Sequence, residues 1–430
     1  MPSLEERLKS LGVKTGGRDL PAPAPRQAAP LDQALGGQPL QTPQGETYIV
    51  EQRLPLDAPY GSAGLRLVNS LRVLGKWAKD ERIQDLPPQA FAFLDTETTG
   101  LSGGTGTYAF LIGAGRFEAE PEECFHLVQF FMRSPVEETA QLIALEQFLA
   151  PCQAIVSFNG KSFDVPLLQT RFMTHGWQSP FGELAHIDLL HLARRLWRER
   201  LPSRTLGNLE VQILEAARTE EDVPGWMIPE MYFDYLRDGD PEPLKGVMYH
   251  NAMDVISLAA LLNHMGGLLD EPLQGGRHHS VDLIALAKLF EDLGELETAT
   301  RLYIHGLEAE QEVPHEDAHN QRLPVHVLLD AIKRLALIHK RQQNYPAAVA
   351  LWEQAAHHQH LPACIELAKY HEHQCKDYEE ATRWTQNAVE LVQQAKVTPF
   401  ERCRWLEELN HRQERLSRYA ASRAPQTPQA

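Results

Sequence analysis

Residues 91–101 read Phe-Ala-Phe-Leu-Asp-Thr-Glu-Thr-Thr-Gly-Leu, a buried-strand pattern that ends on two carboxylates. Asp95 and Glu97 stand two apart on a strand and therefore face the same side. Two like charges held that close are costly unless a cation lies between them. Hard divalent ions such as Mg²⁺ or Mn²⁺ take oxygen ligands of this kind. The Thr-Gly-Leu that follows breaks the strand and opens room for a substrate backbone. The segment reads as half of a metal site, which requires a second half further along the chain.

Two later segments supply it. Residues 154–168 run Ala-Ile-Val-Ser-Phe-Asn-Gly-Lys-Ser-Phe-Asp-Val-Pro-Leu-Leu: a short apolar strand, a turn at Asn159-Gly160, then a helix with Asp164 near its start. Residues 247–262 form an amphipathic helical pattern on which His250 and Asp254 lie one turn apart on one face. Asp95, Glu97, Asp164 and Asp254, with His250, make a two-metal phosphoryl-transfer set. Two divalent ions about 4 Å apart activate water and neutralise the leaving oxygen in such sites. A neutral His beside them can serve as general base. Taken singly, each residue is ordinary: a strand-end turn, a solvated acid, a helix cap, a surface His. The ordered combination is what points to a site.

The order Asp-x-Glu, Asn-Gly-x-x-Phe-Asp, His-Asn-x-x-Asp resembles the DEDD-type 3′→5′ exonucleases of the ribonuclease H-like fold. More narrowly, the chain resembles the YprB-like family of that fold, which includes the mitomycin repair factor B nucleases. The narrower resemblance rests on Asp95-Thr-Glu-Thr-Thr-Gly-Leu with Gly-Thr-Gly-Thr-Tyr at 104–108, and on Asn159-Gly-Lys-Ser-Phe-Asp164. It also rests on His186-Ile-Asp-Leu-Leu with Arg194-Arg-Leu-Trp, on Asp222-Val-Pro-Gly with Pro229, and on His250-Asn-Ala-Met-Asp254. By resemblance, Asp95, Glu97 and Asp254 would hold the first of two ions, Mg²⁺ or Mn²⁺, and Asp95, with Asp164 directly or through water, the second. The chain departs from the family pattern at the base. Related groups place a His five residues, or a Tyr four residues, before the final Asp, whereas here His250 stands four before and Tyr249 five before. His250 is favoured because an offset of four shares a helix face; Tyr249 remains the alternative. Asp188, in a strand-like apolar segment, reads as a supporting residue rather than a ligand.

Composition bounds the rest. With 430 residues and 43% hydrophobic content, the chain can build two or three domains. No run approaches the length of apolar residues that spans a membrane, and no basic-plus-hydrophobic leader opens the chain, so a cytoplasmic protein is expected. The five cysteines show no close-spaced pairs, which disfavours zinc ribbons and a disulfide framework. A net charge of −17 argues against broad electrostatic attraction to nucleic acid, so any positive contact must be local. The best local patch is Arg194, Arg195, Arg198, Arg200 and Arg204, read either as a solvated helix face or as a phosphate-tracking wall. Lys161 stands in the Asn-Gly-Lys turn, well placed to meet a phosphate. Thr98 and Asn159 join it as candidate substrate contacts.

The organisation divides as follows. Residues 1–46 hold a short amphipathic helix at 3–11 and a disordered Pro/Ala/Gln-rich tether. Residues 47–89 lead in with one strand and a helix around 63–79. Residues 90–270 carry the α/β ribonuclease H-like plan: a three-strand antiparallel meander extended by parallel strands into a mixed five-stranded sheet flanked by helices. Residues 281–421 are helical only, with three copies of a turn motif at Gly294, Asn344 and Asp377. The latter two copies are 33 residues apart, close to a tetratricopeptide period. Residues 422–430 form a disordered tail. The expectation is an exonuclease on DNA, in repair, with a protein partner on the helical repeats; the resemblance suggests a superfamily 2 helicase. The alternatives are a non-catalytic scaffold with a vestigial nuclease domain, and action on RNA.

Overall fold

The computed structural model describes residues 29–100, 106–274, 279–312, 322–394 and 398–423. The expected helix at 3–11, the tether up to residue 28 and residues 424–430 lie outside them. The rest of the expected tether is ordered: helix α1 (Leu31–Leu35) leads into strand β1 (Gln38–Thr42), which pairs antiparallel with β2 (Gly45–Pro55). The polar, proline-containing composition of β1 disguises it because β1 is an edge strand with most of its surface exposed. Edge strands tolerate Pro and polar residues that interior strands do not.

A short antiparallel ribbon, β3 (Pro59–Tyr60) with β4 (Ala63–Gly64), follows, and the meander then forms as its apolar runs predict. β5 (Phe91–Thr98), β6 (Ala109–Glu118) and β7 (Cys124–Phe131) pair antiparallel in sequence order. Parallel strands β8 (Ala154–Ser157) and β9 (Ala185–Asp188) extend the sheet beyond β5. The sheet has seven strands in the order β1-β2-β7-β6-β5-β8-β9, two more than the five expected. β1 and β2 account for the difference, added on the far side of β7. Register places Asp95 opposite Gly113 and Gly113 opposite Gln129, one row across three strands.

Both faces of the sheet are covered. One apolar cluster joins Ala92, Leu94 and Ile112 to the helices Glu138–Leu149 and Asp164–Thr174. The opposite cluster joins Phe110, Leu111 and Phe131 to Ile228 and Tyr232 of the helix Ile228–Asp238, with Tyr232 stacked on Phe110 at 4.0 Å. The helix Leu244–Asp270 has the length and apolar character of a membrane span. Its most apolar stretch is 67% buried inside the protein, as in a core helix.

The described chain divides into two compact units. The first holds residues 29–67, 86–189 and 209–263, and the second holds 68–85, 190–208 and 264 onward. This interleaving differs from the linear boundaries expected from sequence. Its cause is long-range pairing: Arg72 and Lys76 bind Glu295, and Arg200 binds Asp282, which draws two short segments into the helical unit. That unit is built from successive helices Ser280–Asp292, Leu296–Glu312, Val325–Arg341, Tyr345–His357, Leu361–Tyr370, Tyr378–Gln394 and Pro399–Arg423. The last helix runs to Arg423, so order persists into the segment expected as tail.

Candidate active site

The site forms where β5 runs on past its parallel partner β8, whose pairing ends at Phe93. Asp95 lies in its ladder, and a register shift follows between Glu97 and Thr98. The helix Leu244–Asp270 crosses the sheet face to which Asp95 points. Its Asn251, fully buried, donates from Nδ2 to Asp95 Oδ2 at 2.9 Å. Asn251 Oδ1 in turn accepts from Gln129 Nε2 at 3.0 Å, and Gln129 also donates to the Met248 carbonyl at 2.8 Å. The whole relay needs a glycine at 113, because a Cβ there would collide with the Asn251 amide. Neutral dipoles thus fix the Asp95 carboxylate. Burial raises its proton affinity well above the ordinary value, and the charges of Asp254, Glu97 and Asp164 add to that rise.

One turn after Asn251, Asp254 is held differently. Its Oδ1 is ion-paired to Arg218, while Oδ2 lies 3.6 Å from His250 Nε2. Arg218 also grips both oxygens of Glu210, at 2.5 and 2.7 Å, and Glu210 is only 1% exposed. Ser257 donates to the same Glu210 at 2.7 Å and meets the Tyr60 hydroxyl at 2.6 Å. Burial raises the proton affinity of Asp254, opposed by Arg218 and His250. Glu97 is raised further, by burial and then by Asp254 and Asp164, with Arg218 opposing.

His250 stands with Nδ1 2.7 Å from Asp222 Oδ1. Arg218 Nη1 also lies 3.2 Å from that Nδ1, but the shorter contact to Asp222 favours an Nδ1–H, which leaves the Nε2 lone pair toward Asp254. Glu97, His250 and Asp254 each offer one ligand atom, all within 4.8 Å of one another. Tyr249 points elsewhere: its hydroxyl accepts the Thr219 amide at 2.9 Å and so ties down the segment that carries Arg218 and Asp222.

Asp164 comes from the other face of the sheet. Thr96, whose side chain alternates away from Asp95 and Glu97, donates to Asp164 Oδ1 at 2.5 Å. Burial pushes the Asp164 carboxyl up to about 6, against the pull of the Thr96 hydrogen bond. The turn before it is braced by Asp188, 1% exposed, whose carboxylate accepts the backbone amides of Asn159 (2.8 Å) and Lys161 (3.2 Å). Asn159 needs that brace because it holds a left-handed φ of 66°. Lys161 is exposed. Thr98 turns its hydroxyl to the Gly100 carbonyl at 2.9 Å. Arg194 and Arg195 belong to the second unit, where Arg195 is ion-paired to Asp292.

The donor set fits hard divalent cations. Asp95 and Glu97 are driven toward the protonated form by burial and by each other's neighbours, and an added cation would remove that penalty. The sequence identifies the acids and His250 as candidates and Asp188 as a support, but not the supports Asn251 and Arg218. Asn251 lay inside a quoted motif without an assigned role. Arg218 could have been sought as the buried counter-charge that so many clustered acids require.

A seven-stranded mixed sheet covered by helices, with carboxylates gathered at a central strand end, defines a ribonuclease H-like protein. Residues 92–266 match the RNase_H superfamily, a superfamily of nucleases. The chain is also 35% identical over 304 residues to the uncharacterized protein YprB of Bacillus subtilis (strain 168), covering 69% of this chain and 68% of that protein. It belongs to the YprB-like family of the ribonuclease H fold. Among solved structures, it is similar to the family B DNA polymerase from the hyperthermophilic archaeon Pyrobaculum calidifontis, with 14% identity and a TM-score of 0.29 over 48% of this chain and 30% of the polymerase.

Proposed function

We propose that the protein is a divalent-metal-dependent 3′→5′ exonuclease that shortens DNA strands in repair, with a two-ion site. The observation that carries this reading is the grouping of Glu97, His250 and Asp254 within 4.8 Å, beside Asp95 and Asp164 whose carboxyls are raised by burial. Asp95, Glu97 and Asp254 would hold one Mg²⁺ or Mn²⁺, and Asp95 with Asp164 the other. When bound, such ions supply Lewis acidity toward water and toward the phosphoryl oxygens. The chain's own groups do the rest. His250 Nε2 takes the proton of the attacking water, and Asp222 keeps Nδ1 protonated and the ring oriented. Arg218 holds Asp254, and Asn251 holds Asp95, each in one rotamer. Lys161 meets a substrate phosphate. A helicase that supplies unwound strands, docked on the helical repeats, completes the proposal.

The test is incubation of the full-length protein with 5′- and 3′-labelled single-stranded DNA, duplex DNA and RNA in Mg²⁺ or Mn²⁺. The expected result is stepwise shortening from the 3′ end of DNA, abolished by EDTA and by Asp95→Ala. Shortening of RNA alone would transfer the reading to that substrate. Absence of metal-dependent cleavage of all three would leave the scaffold reading.

A further inference from the structure

We propose that Trp226 is a stacking platform for an unpaired base of the strand that enters the active site; this deepens the nuclease reading and rests on it. The indole is 82% exposed. Its exposure is not fraying, because its turn is anchored on both sides. Gly225–Met227 forms a single 3₁₀ turn closed by the Met227 amide on the Pro224 carbonyl at 2.9 Å. The next residue, Ile228, is fully buried, and Tyr232 one turn later is locked by its ring stack on Phe110 and its hydroxyl bond to the Met132 carbonyl at 2.9 Å.

The turn is also at the site. A Cβ placed on Gly225 would lie 3.8 Å from His250 Nε2, so the residue before Trp226 rests against the ring nitrogen that faces the carboxylates. On the Asp164 side, a second ring, Phe163, is 58% exposed immediately before that ligand.

Charge decides what an exposed indole here is for. The chain carries −17, and the groups converging on the site are mostly acids. Phosphate contacts beyond that of Lys161 therefore contribute little to holding a strand in register. Stacking on an aromatic face does not depend on charge or on base identity. Exposed acids, Glu220 and Glu221, precede the indole in sequence, and Met227, Phe233 and Leu236 after it are also partly exposed; what favours a base over a protein surface is the nearness of Gly225 to His250. A base flanking the scissile phosphate is the ligand this placement suits.

The test uses the full-length protein in Ca²⁺ to hold binding without turnover, with fluorescent oligothymidylate and the same strand made abasic at its 3′-terminal nucleotides. Wild type is expected to bind the base-bearing end roughly tenfold tighter than the abasic end. Trp226→Ala should bring that ratio close to one while leaving abasic binding unchanged, and Trp226→Phe should restore most of it. A Trp226→Ala protein that keeps the wild-type ratio overturns the platform and leaves the indole to a protein partner. Hydrolysis assays in Mg²⁺ run alongside separate the two failures. If wild type cleaves and the ratio is unchanged, only the platform falls. If wild type neither cleaves nor binds either strand, the nuclease reading falls and the platform with it.

Discussion

The two ends of the carboxylate cage are built on opposite electrostatic principles. Asp95 is fixed by a relay of neutral amides, Gln129 to Asn251 to Asp95, which orients the carboxylate without cancelling its charge. Asp254, one turn along the same helix, is fixed by a guanidinium that already serves Glu210 and approaches Asp222 at 3.5 Å. The Asp254 end therefore has a built-in counter-charge, whereas the hydrogen-bond partner of Asp95 brings none. The demand for divalent metal is concentrated at Asp95 and Glu97, whose proton affinities are raised most by burial among like charges.

Four predictions break or sharpen that contrast. The largest effect is expected for Asp95→Asn and Asp254→Asn, each losing on the order of 10³-fold or more in hydrolysis. Their metal-free stabilities should diverge: removing the Asp95 charge relieves repulsion and raises Tm, while removing that of Asp254 unbalances Arg218. Equal Tm shifts in thermal melts without metal would count against the contrast. Next comes the base. His250→Phe should slow hydrolysis by roughly 10²-fold or more. Tyr249→Phe should lower the rate only mildly, since its hydroxyl merely tethers Thr219; the reverse ranking would exchange their roles.

The supports themselves come third. Arg218→Met should cost about 3–5 kcal/mol in denaturant unfolding, because it leaves Glu210 buried without a counter-charge. Asn251→Ala should cost less stability, about 1–3 kcal/mol. It should instead weaken Mn²⁺ affinity or activity by about 10- to 100-fold. If both variants lose the same property to the same degree, the two ends are not distinct. The smallest effect concerns pH. Asp164 has a folded value of about 6, raised by burial above the ordinary 3.8. The folded state thus binds the extra proton between those values, and its contribution to stability is lost as pH rises through about 6. Without metal, wild type should lose stability relative to Asp164→Asn between about pH 4 and 6, and saturating Mn²⁺ should cancel the trend.

The acids were legible in the sequence because metal chemistry permits few residue types and each acid sits at a recognisable strand end or helix start. The meander and the parallel strands were legible for the same reason that they are buried: apolar runs with short connections admit few alternatives. The amide relay was not, since Gln129 and Asn251 become neighbours only through strand register and a helix crossing. Arg218 was equally hidden, a single basic residue in an irregular stretch whose partners stand 8 and 36 positions away. β1 escaped because an edge strand need not look like a strand. The interleaved units escaped because the ion pairs that draw residues 68–85 and 190–208 into the helical unit span large sequence distances.

Gly113 carries a consequence for how sequences of this kind diverge. Nothing about the residue is chemical, and a glycine weakens the middle of a strand. Yet its missing methyl is the socket into which the Asn251 amide fits. Positions 113 and 251 are thereby tied as a pair, although they stand 138 positions apart in the chain and neither would touch substrate. A relative with a larger residue at the first position has no room for the amide at the second. Such a chain either holds its first carboxylate by other means or has given up the chemistry, and the substitution at the silent glycine would announce it before any change reached the acids.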